Sequence, residues 1–265
     1  MERPALVASD IDGTLLGPDE RVTARTARVI GRVLAAGVPF VLVTGRPPRW
    51  LDIVSRDAGV NGYAICANGA VLYDLAEDRV VWEKGLDPVR LMDVAAALDH
   101  VLPGSALASE RVGDVEPFVA ETAYTHPWGN GPDHVEVTRA EVFGHRAVKL
   151  LVRHPKMTSA EMTEAAEAVL GDEFAITYST NSGLIEISAA GVTKATGLAD
   201  VARRHDVPAR RVIAFGDMPN DVEMLRWAGH GVAMENAHPR CRAAADEVTA
   251  THGEDGVALV LERWF

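Results

Sequence analysis

The chain has 265 residues, of which 48% are hydrophobic and 24% are charged, a composition typical of a globular protein with a sizeable buried core. Its formal net charge of −12 argues against a nucleic-acid-binding protein, which needs a basic surface to contact phosphates, and against a protein that binds anionic membranes. A small phosphate ester remains compatible with this charge, because a few cationic groups and backbone donors are enough to bind it.

The cysteines and the N-terminal segment indicate a reducing location. Cys66 and Cys241 are far apart and lack a CxxC spacing, so we expect both to be reduced and packed in the interior. The first residues, MERPALVASDIDG, contain no basic region followed by an apolar signal segment. No apolar run is long enough to form a membrane-spanning helix. We therefore expect a cytoplasmic protein, either a monomer or a homodimer.

The N-terminal part of the chain alternates between predicted strands and helices. Short apolar runs bounded by turn residues predict buried strands, and stretches with one apolar stripe that end at glycine predict helices. In chain order these are a strand at 6–8, a helix capped by Thr23 that runs to Ala36, a strand at 38–43, a helical stretch that ends at Gly59, and a strand at 63–67. This order is typical of a parallel α/β sheet.

The pattern changes after about residue 84. Strand-like runs at 148–152, 174–178 and 184–188 are mixed with helices predicted at about 88–101 and 159–170. The earlier order then resumes with a helix near 194–205 and a strand at 212–215. We therefore predict an α/β fold, in which residues 1–84 and 189–265 form a doubly wound, Rossmann-like parallel-sheet core and residues 85–188 form an inserted α+β cap.

Polar side chains follow three of the predicted core strands. They are Asp10 and Asp12 after the first strand, Thr44 after the second, and Asp217, Asn220 and Asp221 after the strand at 212–215, with Lys194 at the start of the preceding helix. Ligands of open α/β sheets bind at the carboxyl ends of the strands. We therefore expect these groups to lie close together in one site.

The residue types in this set suit phosphoryl transfer. Clustered carboxylates repel one another unless a cation lies among them, and an all-oxygen site that also takes a phosphate favours Mg²⁺. Asp10 can then attack phosphorus as a nucleophile, and Asp12 can protonate the leaving group and later activate water. Gly13 permits a tight turn with backbone N–H groups that face phosphate oxygens. Thr44 supplies a hydroxyl and Lys194 a positive charge that stabilise the transferred group.

Four segments together resemble the motifs of haloacid dehalogenase superfamily phosphatases, and most closely those of the Cof-type subfamily, whose α+β cap is inserted between the second and third motifs. The segments are Asp10-Ile11-Asp12-Gly13-Thr14, Thr44-Gly45-Arg46, Lys194, and Gly216-Asp217-Met218-Pro219-Asn220-Asp221. Two further segments, ANGA at 67–70 and GVAMENA at 231–237, also resemble that subfamily.

The resemblance implies a role for each matching residue. Asp10 is the implied nucleophile, which becomes an aspartyl-phosphate, and Asp12 is the implied general acid and base. The implied Mg²⁺ ligands are Asp10, the backbone carbonyl of Asp12, and Asp217, with Asp221 binding a metal-bound water or lying behind the ligands. The implied phosphate and substrate contacts are Gly13, Thr44, Gly45, Lys194 and Asn220, whereas Arg46 either contacts the substrate or forms a surface salt bridge.

These features predict a Mg²⁺-dependent phosphatase for a small phosphate monoester, such as a sugar phosphate. Two alternatives stay open: a sugar phosphomutase of the same superfamily, and a non-hydrolytic phosphoacceptor signalling domain, which also clusters Asp, Thr and Lys at strand ends. A phosphoacceptor domain needs neither Asp12 nor a cap. We expect the cap to determine substrate choice, with the segments 124–131 and 180–183 as candidate specificity loops.

Overall fold

The computed structural model describes residues 2–113, 116–126 and 134–265. The chain divides into two compact units, a core unit of Met1–Trp82 with Thr193–Phe265 and an inserted unit of Glu83–Val192. The boundaries predicted from the sequence between the core and the inserted cap lie after residues 84 and 188. Within the described ranges, no helix has both the length and the apolar character that crossing a bilayer requires.

The secondary structure of the described residues alternates between short strands and helices. The strands are β1 (Leu6–Ser9), β2 (Phe40–Val43), β3 (Tyr63–Cys66), β4 (Val71–Asp74), β5 (Arg79–Glu83), β6 (Ala106–Glu110), β7 (Phe118–Glu121), β8 (His134–Val137), β9 (Lys149–Arg153), β10 (Phe174–Thr177), β11 (Leu184–Ala189), β12 (Val212–Gly216), β13 (His230–Ala233) and β14 (Glu247–Val248). The α-helices are α1 (Ala24–Ala35), α2 (Asp52–Ala58), α3 (Pro88–Val101), α4 (Arg139–Val142), α5 (Ser159–Leu170), α6 (Lys194–Arg204), α7 (Val222–Trp227), α8 (Pro239–Ala244) and α9 (Gly256–Leu261).

The core unit is built on a sheet with the strand order β14-β13-β12-β1-β2-β3-β4-β5. The strands from β14 to β3 run parallel, and β4 turns back antiparallel to β3. The strands β1, β2 and β12 are buried along their whole length, as expected for a parallel sheet covered on both faces. This confirms the predicted α/β core, and it places the carboxyl end of β1 between those of β2 and β12.

Local sequence signals explain where the core elements begin and end. The hydroxyl of Thr23 accepts a hydrogen bond from the Thr26 N–H and caps α1, and Gly37 follows its last turn with φ +74°. The strand β2 starts at Phe40, later than expected, and Pro39 just before it has no N–H to donate to a neighbouring strand. The strand β3 ends one residue early, because Ala67 adopts a left-handed φ of +47°.

The inserted unit has its own sheet, with the strand order β10-β11-β9-β6-β7-β8 among the described residues. Helices α3 and α5 have the bounds predicted for them. They share an apolar cluster with alternate residues of the central strands, namely Leu107, Leu150, Val152, Ile185 and Ile187. The strands β6, β7 and β8 were not predicted, because sequences such as ALASE and HVEV lack a continuous apolar run. Residues 127–131 of the first candidate specificity loop, which include Trp128, lie outside the described residues.

Candidate active site

Three buried carboxylates meet at the carboxyl edge of the core sheet. Asp10 directly follows β1 and its N–H donates to the Phe215 carbonyl of β12 at 3.0 Å. Asp217 directly follows β12, and Asp221 lies one short turn further on. One carboxylate oxygen from each of these three residues lies within 4.8 Å of the others. The parallel register of β1 and β12 therefore brings together residues more than 200 positions apart in the chain.

The Lys194 ammonium group lies between two of these carboxylates. Lys194 is the first residue of α6, whose N-terminus is capped by the hydroxyl of Thr193. Its Nζ lies 2.7 Å from Oδ1 of Asp10 and 2.7 Å from Oδ1 of Asp221, and its side chain is 0% exposed. A fully buried cation with two charged partners contributes fixed positive charge to the site.

Asp221 holds the loop that follows β12. Its Oδ2 accepts hydrogen bonds from the N–H groups of Asp217 and Met218, each at 3.0 Å. A side chain at Gly216 would begin 2.5 Å from Cβ of Asp221, so this approach requires glycine. Both carboxylate oxygens of Asp221 thus accept hydrogen bonds, one from Lys194 and the other from the loop backbone.

Asp217 is held by the loop after β1. Its Oδ1 accepts a hydrogen bond from Oγ1 of Thr14 at 3.0 Å. Gly13 has φ +72°, and a Cβ there would lie 2.3 Å from Oδ2 of Asp217, so only glycine fits. The amide of Asn236 donates to the Gly13 carbonyl at 2.8 Å. Thr14 and Asn236 belong to the segments on which the resemblance rests, but their residue types alone do not predict these contacts.

The electrostatics of this group are dominated by burial. Burial, opposed by Lys194, raises the pKa of Asp10 well above its usual range, and the neighbouring carboxylates raise it further. Burial and Asp221 raise the pKa of Asp217 to about 7. Burial alone would lower the pKa of Lys194, but Asp10 and Asp221 outweigh it and raise that pKa above its ordinary value. One ammonium group thus faces three carboxylates, and the local negative charge is not balanced.

A hard cation fits this imbalance. Carboxylate oxygens are the ligands that such cations prefer, and one oxygen each of Asp10, Asp217 and Asp221 lie close enough together to hold one cation. A bound cation would lower the cost of keeping these carboxylates ionised. The donor set therefore suits a divalent metal ion with oxygen ligands.

Asp12 lies apart from the buried carboxylates. Its side chain is 57% exposed, and both of its carboxylate oxygens accept hydrogen bonds from the guanidinium group of Arg46. Of the two roles considered for Arg46, the structure contains the salt bridge. Asp12 is thus the exposed carboxylate of the site, whereas Asp10 and Asp217 are buried.

The remaining sequence-predicted residues lie at the ends of β2 and β12. Thr44 is fully buried, and its Oγ1 accepts a hydrogen bond from the Arg46 N–H at 3.0 Å. The amide of Asn220 donates to Oδ1 of Asn68 at 3.0 Å. A Cβ at Gly45 would lie 3.1 Å from the same Asn68 oxygen. Asn68 was not among the predicted site residues, although it follows the third strand of the same sheet, and the strand-end argument used for Thr44 would have identified it.

Comparisons with known proteins agree with this architecture. The family model described as haloacid dehalogenase-like hydrolase matches residues 7–261. The chain is 31% identical to the 5-amino-6-(5-phospho-D-ribitylamino)uracil phosphatase YitU of Bacillus subtilis, with 99% of this chain and 98% of that protein covered. It is 27% identical to an HMP-PP phosphatase of Yersinia pestis, with 98% of this chain and 94% of that protein covered.

A solved structure gives the same picture for the fold. BT1666 of Bacteroides thetaiotaomicron, studied among phosphatases of the haloalkanoate superfamily, superposes with a TM-score of 0.81 at 25% identity, and the match covers 98% of this chain and 94% of that one. The predicted enzyme class, a phosphatase of this superfamily, is confirmed by these relatives. The chain belongs to the haloacid dehalogenase-like hydrolase family and is of its Cof type.

Proposed function

We propose that the protein is a Mg²⁺-dependent phosphatase that hydrolyses a small phosphorylated metabolite through an aspartyl-phosphate on Asp10. The observation that carries the proposal is the convergence of the Asp10, Asp217 and Asp221 carboxylates around the Lys194 ammonium group. Phosphoryl transfer needs mainly positioning and charge stabilisation, and this arrangement is suited to both.

Asp10 and Asp217 would hold the metal ion, together with the backbone carbonyl of Asp12, and Asp221 would support them from behind. When bound, Mg²⁺ would neutralise charge on the phosphoryl oxygens and on the carboxylates. The imbalance of three carboxylates against one ammonium group supports this assignment, because Asp10 must be ionised to act as a nucleophile.

The reaction would proceed in two steps that both use Asp10 and Asp12. In the first, an oxygen of Asp10 bonds to phosphorus, the ester P–O bond breaks, and Asp12 gives a proton to the leaving oxygen. In the second, Asp12 takes a proton from water as the water oxygen bonds to phosphorus, so that phosphate leaves and Asp10 is regenerated. The guanidinium group of Arg46 donates to both carboxylate oxygens of Asp12, so one of these hydrogen bonds would have to break for either proton transfer.

The remaining residues would bind the phosphoryl group. Lys194 offers fixed positive charge, and Thr44 and Asn220 offer a hydroxyl and an amide at neighbouring strand ends. The N–H groups near Gly13 would face the phosphate oxygens, with Gly45 allowing close approach at the end of β2. The inserted unit would determine which ester is accepted.

The test is phosphate release from a panel of phosphorylated metabolites, with Mg²⁺ and with EDTA. The panel includes the substrates named for the relatives, 5-amino-6-(5-phospho-D-ribitylamino)uracil and HMP-PP. We expect wild type to hydrolyse one compound class only with Mg²⁺. Asp10→Asn should lose at least about 1,000-fold in kcat, because it lacks the nucleophile, whereas Asp206→Asn, an exposed substitution in the same unit, should remain active.

Other outcomes would decide against the proposal. An isomerised hexose phosphate without free phosphate would favour a phosphomutase. A phosphorylated Asp10 that persists without turnover would favour a phosphoacceptor domain. Undiminished hydrolysis by Asp10→Asn would exclude the aspartyl-phosphate route.

A further inference from the structure

The segment between β3 and β4 has an unusual backbone. Ala67, Asn68 and Gly69 have consecutive positive φ angles of 47°, 55° and 102°, a region that residues with a Cβ rarely adopt. Ala67 is 0% exposed and Asn68 is 3% exposed. Such a conformation persists where surrounding contacts over-determine it, and these positions are concentrated at functional sites.

Two backbone hydrogen bonds attach this segment to the end of β2. The Asn68 N–H donates to the Thr44 carbonyl at 3.0 Å, and the Ala67 N–H donates to the Arg46 carbonyl at 3.0 Å. The left-handed turn is therefore bound to both ends of the Thr44–Arg46 segment. These bonds tie the backbone of the turn to the segment that carries the Thr44 hydroxyl.

The same segment also contacts the start of α6. A Cβ at Gly69 would lie 2.0 Å from the Thr193 carbonyl oxygen and 3.2 Å from the backbone nitrogen of Lys194. The backbone of Gly69 therefore packs directly against the residue that carries the buried ammonium group. The turn thus sets the spacing between the end of β2 and the start of α6.

The Asn68 side chain reaches a third element of the site. Its Oδ1 accepts a hydrogen bond from Nδ2 of Asn220 at 3.0 Å. In the described part of the chain, the buried Oδ1 of Asn220 has no hydrogen-bond partner. The bond to Asn68 therefore determines the orientation of the Asn220 carboxamide.

We propose that Asn68 is a positioning residue of the phosphate-binding site. Its carboxamide orients Asn220, and its left-handed backbone sets the spacing of Thr44 and Lys194. This inference rests on the proposed function, since it assigns Asn68 to the binding of the phosphoryl group. Asn68 acts through its neighbours and need not contact the substrate.

The test compares Asn68→Gly with the matched variant Asp206→Gly. Both replace a residue of left-handed φ, 55° and 54° respectively, by the residue that adopts this region at least cost. Asp206 is exposed and follows α6, away from the carboxyl ends of the strands. The measurements are Tm, kcat and KM for the best ester, and the Kd of inorganic phosphate by calorimetry with Mg²⁺ present.

We expect Asn68→Gly to keep the wild-type Tm within a few degrees and to raise KM and the phosphate Kd by about tenfold, since one orienting hydrogen bond is lost. Asp206→Gly should change neither constant. Because Asn68 acts through Asn220, Asn220→Ala should cost less in the Asn68→Gly background than in wild type.

An unchanged KM and phosphate Kd in Asn68→Gly, or additive effects with Asn220→Ala, would overturn the inference. A fall in Tm with KM unchanged would overturn it too, since a purely structural role has that result. A wild type that hydrolyses no ester would contradict the proposed phosphatase alone, and the phosphate calorimetry would still decide the role of Asn68.

Discussion

At the scale of residues, the site is defined by charge that the protein alone does not balance. Lys194 neutralises part of the charge of Asp10 and Asp221, but burial still raises the pKa of Asp10 and brings that of Asp217 to about 7. Asp217 therefore binds a proton in the folded protein over a pH range in which an exposed aspartate does not. This difference makes stability depend on pH and on metal.

The sign of this dependence follows from the ordinary aspartate pKa of 3.8 and the folded value of about 7. At pH values between these two pKa values, the folded state binds more protons than the unfolded state. The contribution of Asp217 to the free energy of unfolding is therefore complete below about pH 4 and is lost as the pH rises through 7. Asp217→Asn stays neutral, and in EDTA its Tm should rise relative to wild type as pH increases from 5 to 8. Thermal unfolding at each pH measures this difference.

If Asp217 holds Mg²⁺ as proposed, adding Mg²⁺ should make the Tm of wild type higher than that of Asp217→Asn above pH 7, because only wild type retains this carboxylate. Asp206→Asn, which changes an exposed carboxylate, serves as the control. A Tm difference in EDTA that does not vary with pH would contradict the assigned pKa of Asp217.

At the scale of elements, strand alternation in the inserted unit places a buried ion pair on the face of the sheet opposite the cluster under α3 and α5. Leu150 and Ile187 pair across β9 and β11 and belong to the cluster under α3 and α5. Lys149 and Glu186 point to the other face, where they form an ion pair with side chains only 5% and 4% exposed. Removing one partner would leave the other charge buried without this ion pair.

We expect Lys149→Met to destabilise the protein by about 3–5 kcal/mol, because the Glu186 carboxylate loses its cation. The double variant Lys149→Met with Glu186→Leu should recover most of this loss, since both charges of the pair are then replaced by apolar groups. Urea unfolding followed by circular dichroism measures both. Arg56→Met, which breaks an ion pair with side chains 70% and 74% exposed, should cost less than about 1 kcal/mol. If Lys149→Met and Arg56→Met lowered the free energy of unfolding equally, burial would not determine the cost of breaking these ion pairs.

At the scale of the whole molecule, the two units use the chain differently. The inserted unit is continuous, from Glu83 to Val192, and every strand of its sheet comes from that stretch. The core sheet instead joins β1–β5 from the first segment to β12–β14 from the last, with β1 paired to β12. The residues of the apolar cluster under α3 and α5 all come from the one continuous segment of the inserted unit.

We therefore expect a fragment of residues 83–192 to fold by itself, with a cooperative thermal transition and dispersed amide NMR signals. A fragment of residues 1–82 should remain unfolded, because β1 lacks its partner β12 and the buried face of the sheet is incomplete. A fragment 83–192 without a cooperative transition would show that the inserted unit depends on the core.

Much of the core could be predicted from local patterns. Apolar runs, the Thr23 cap and the glycine stops define the order from β1 to β3, and polar residues at strand ends indicate the site at Asp10, Thr44 and Asp217. The strand and helix predictions hold because burial and capping act over a few neighbouring residues. In the inserted unit, the strands β6 and β8 carry small and polar residues instead of a continuous apolar run, so they give no such signal.

What the sequence by itself determined is the order of the core elements from β1 to β3, the helix α6 with the strand β12, and the chemical types at the carboxyl ends of these strands. Only the tertiary structure decided which partners these groups have. Lys194 pairs with Asp10 and Asp221, Arg46 forms a salt bridge with Asp12, and Asn220 donates a hydrogen bond to Asn68. The first two kinds of information are local, since they depend on periodicity and turn chemistry. The partners are set when the parallel strands align and bring together residues as far apart as Asn68 and Asn220, which local sequence patterns do not encode.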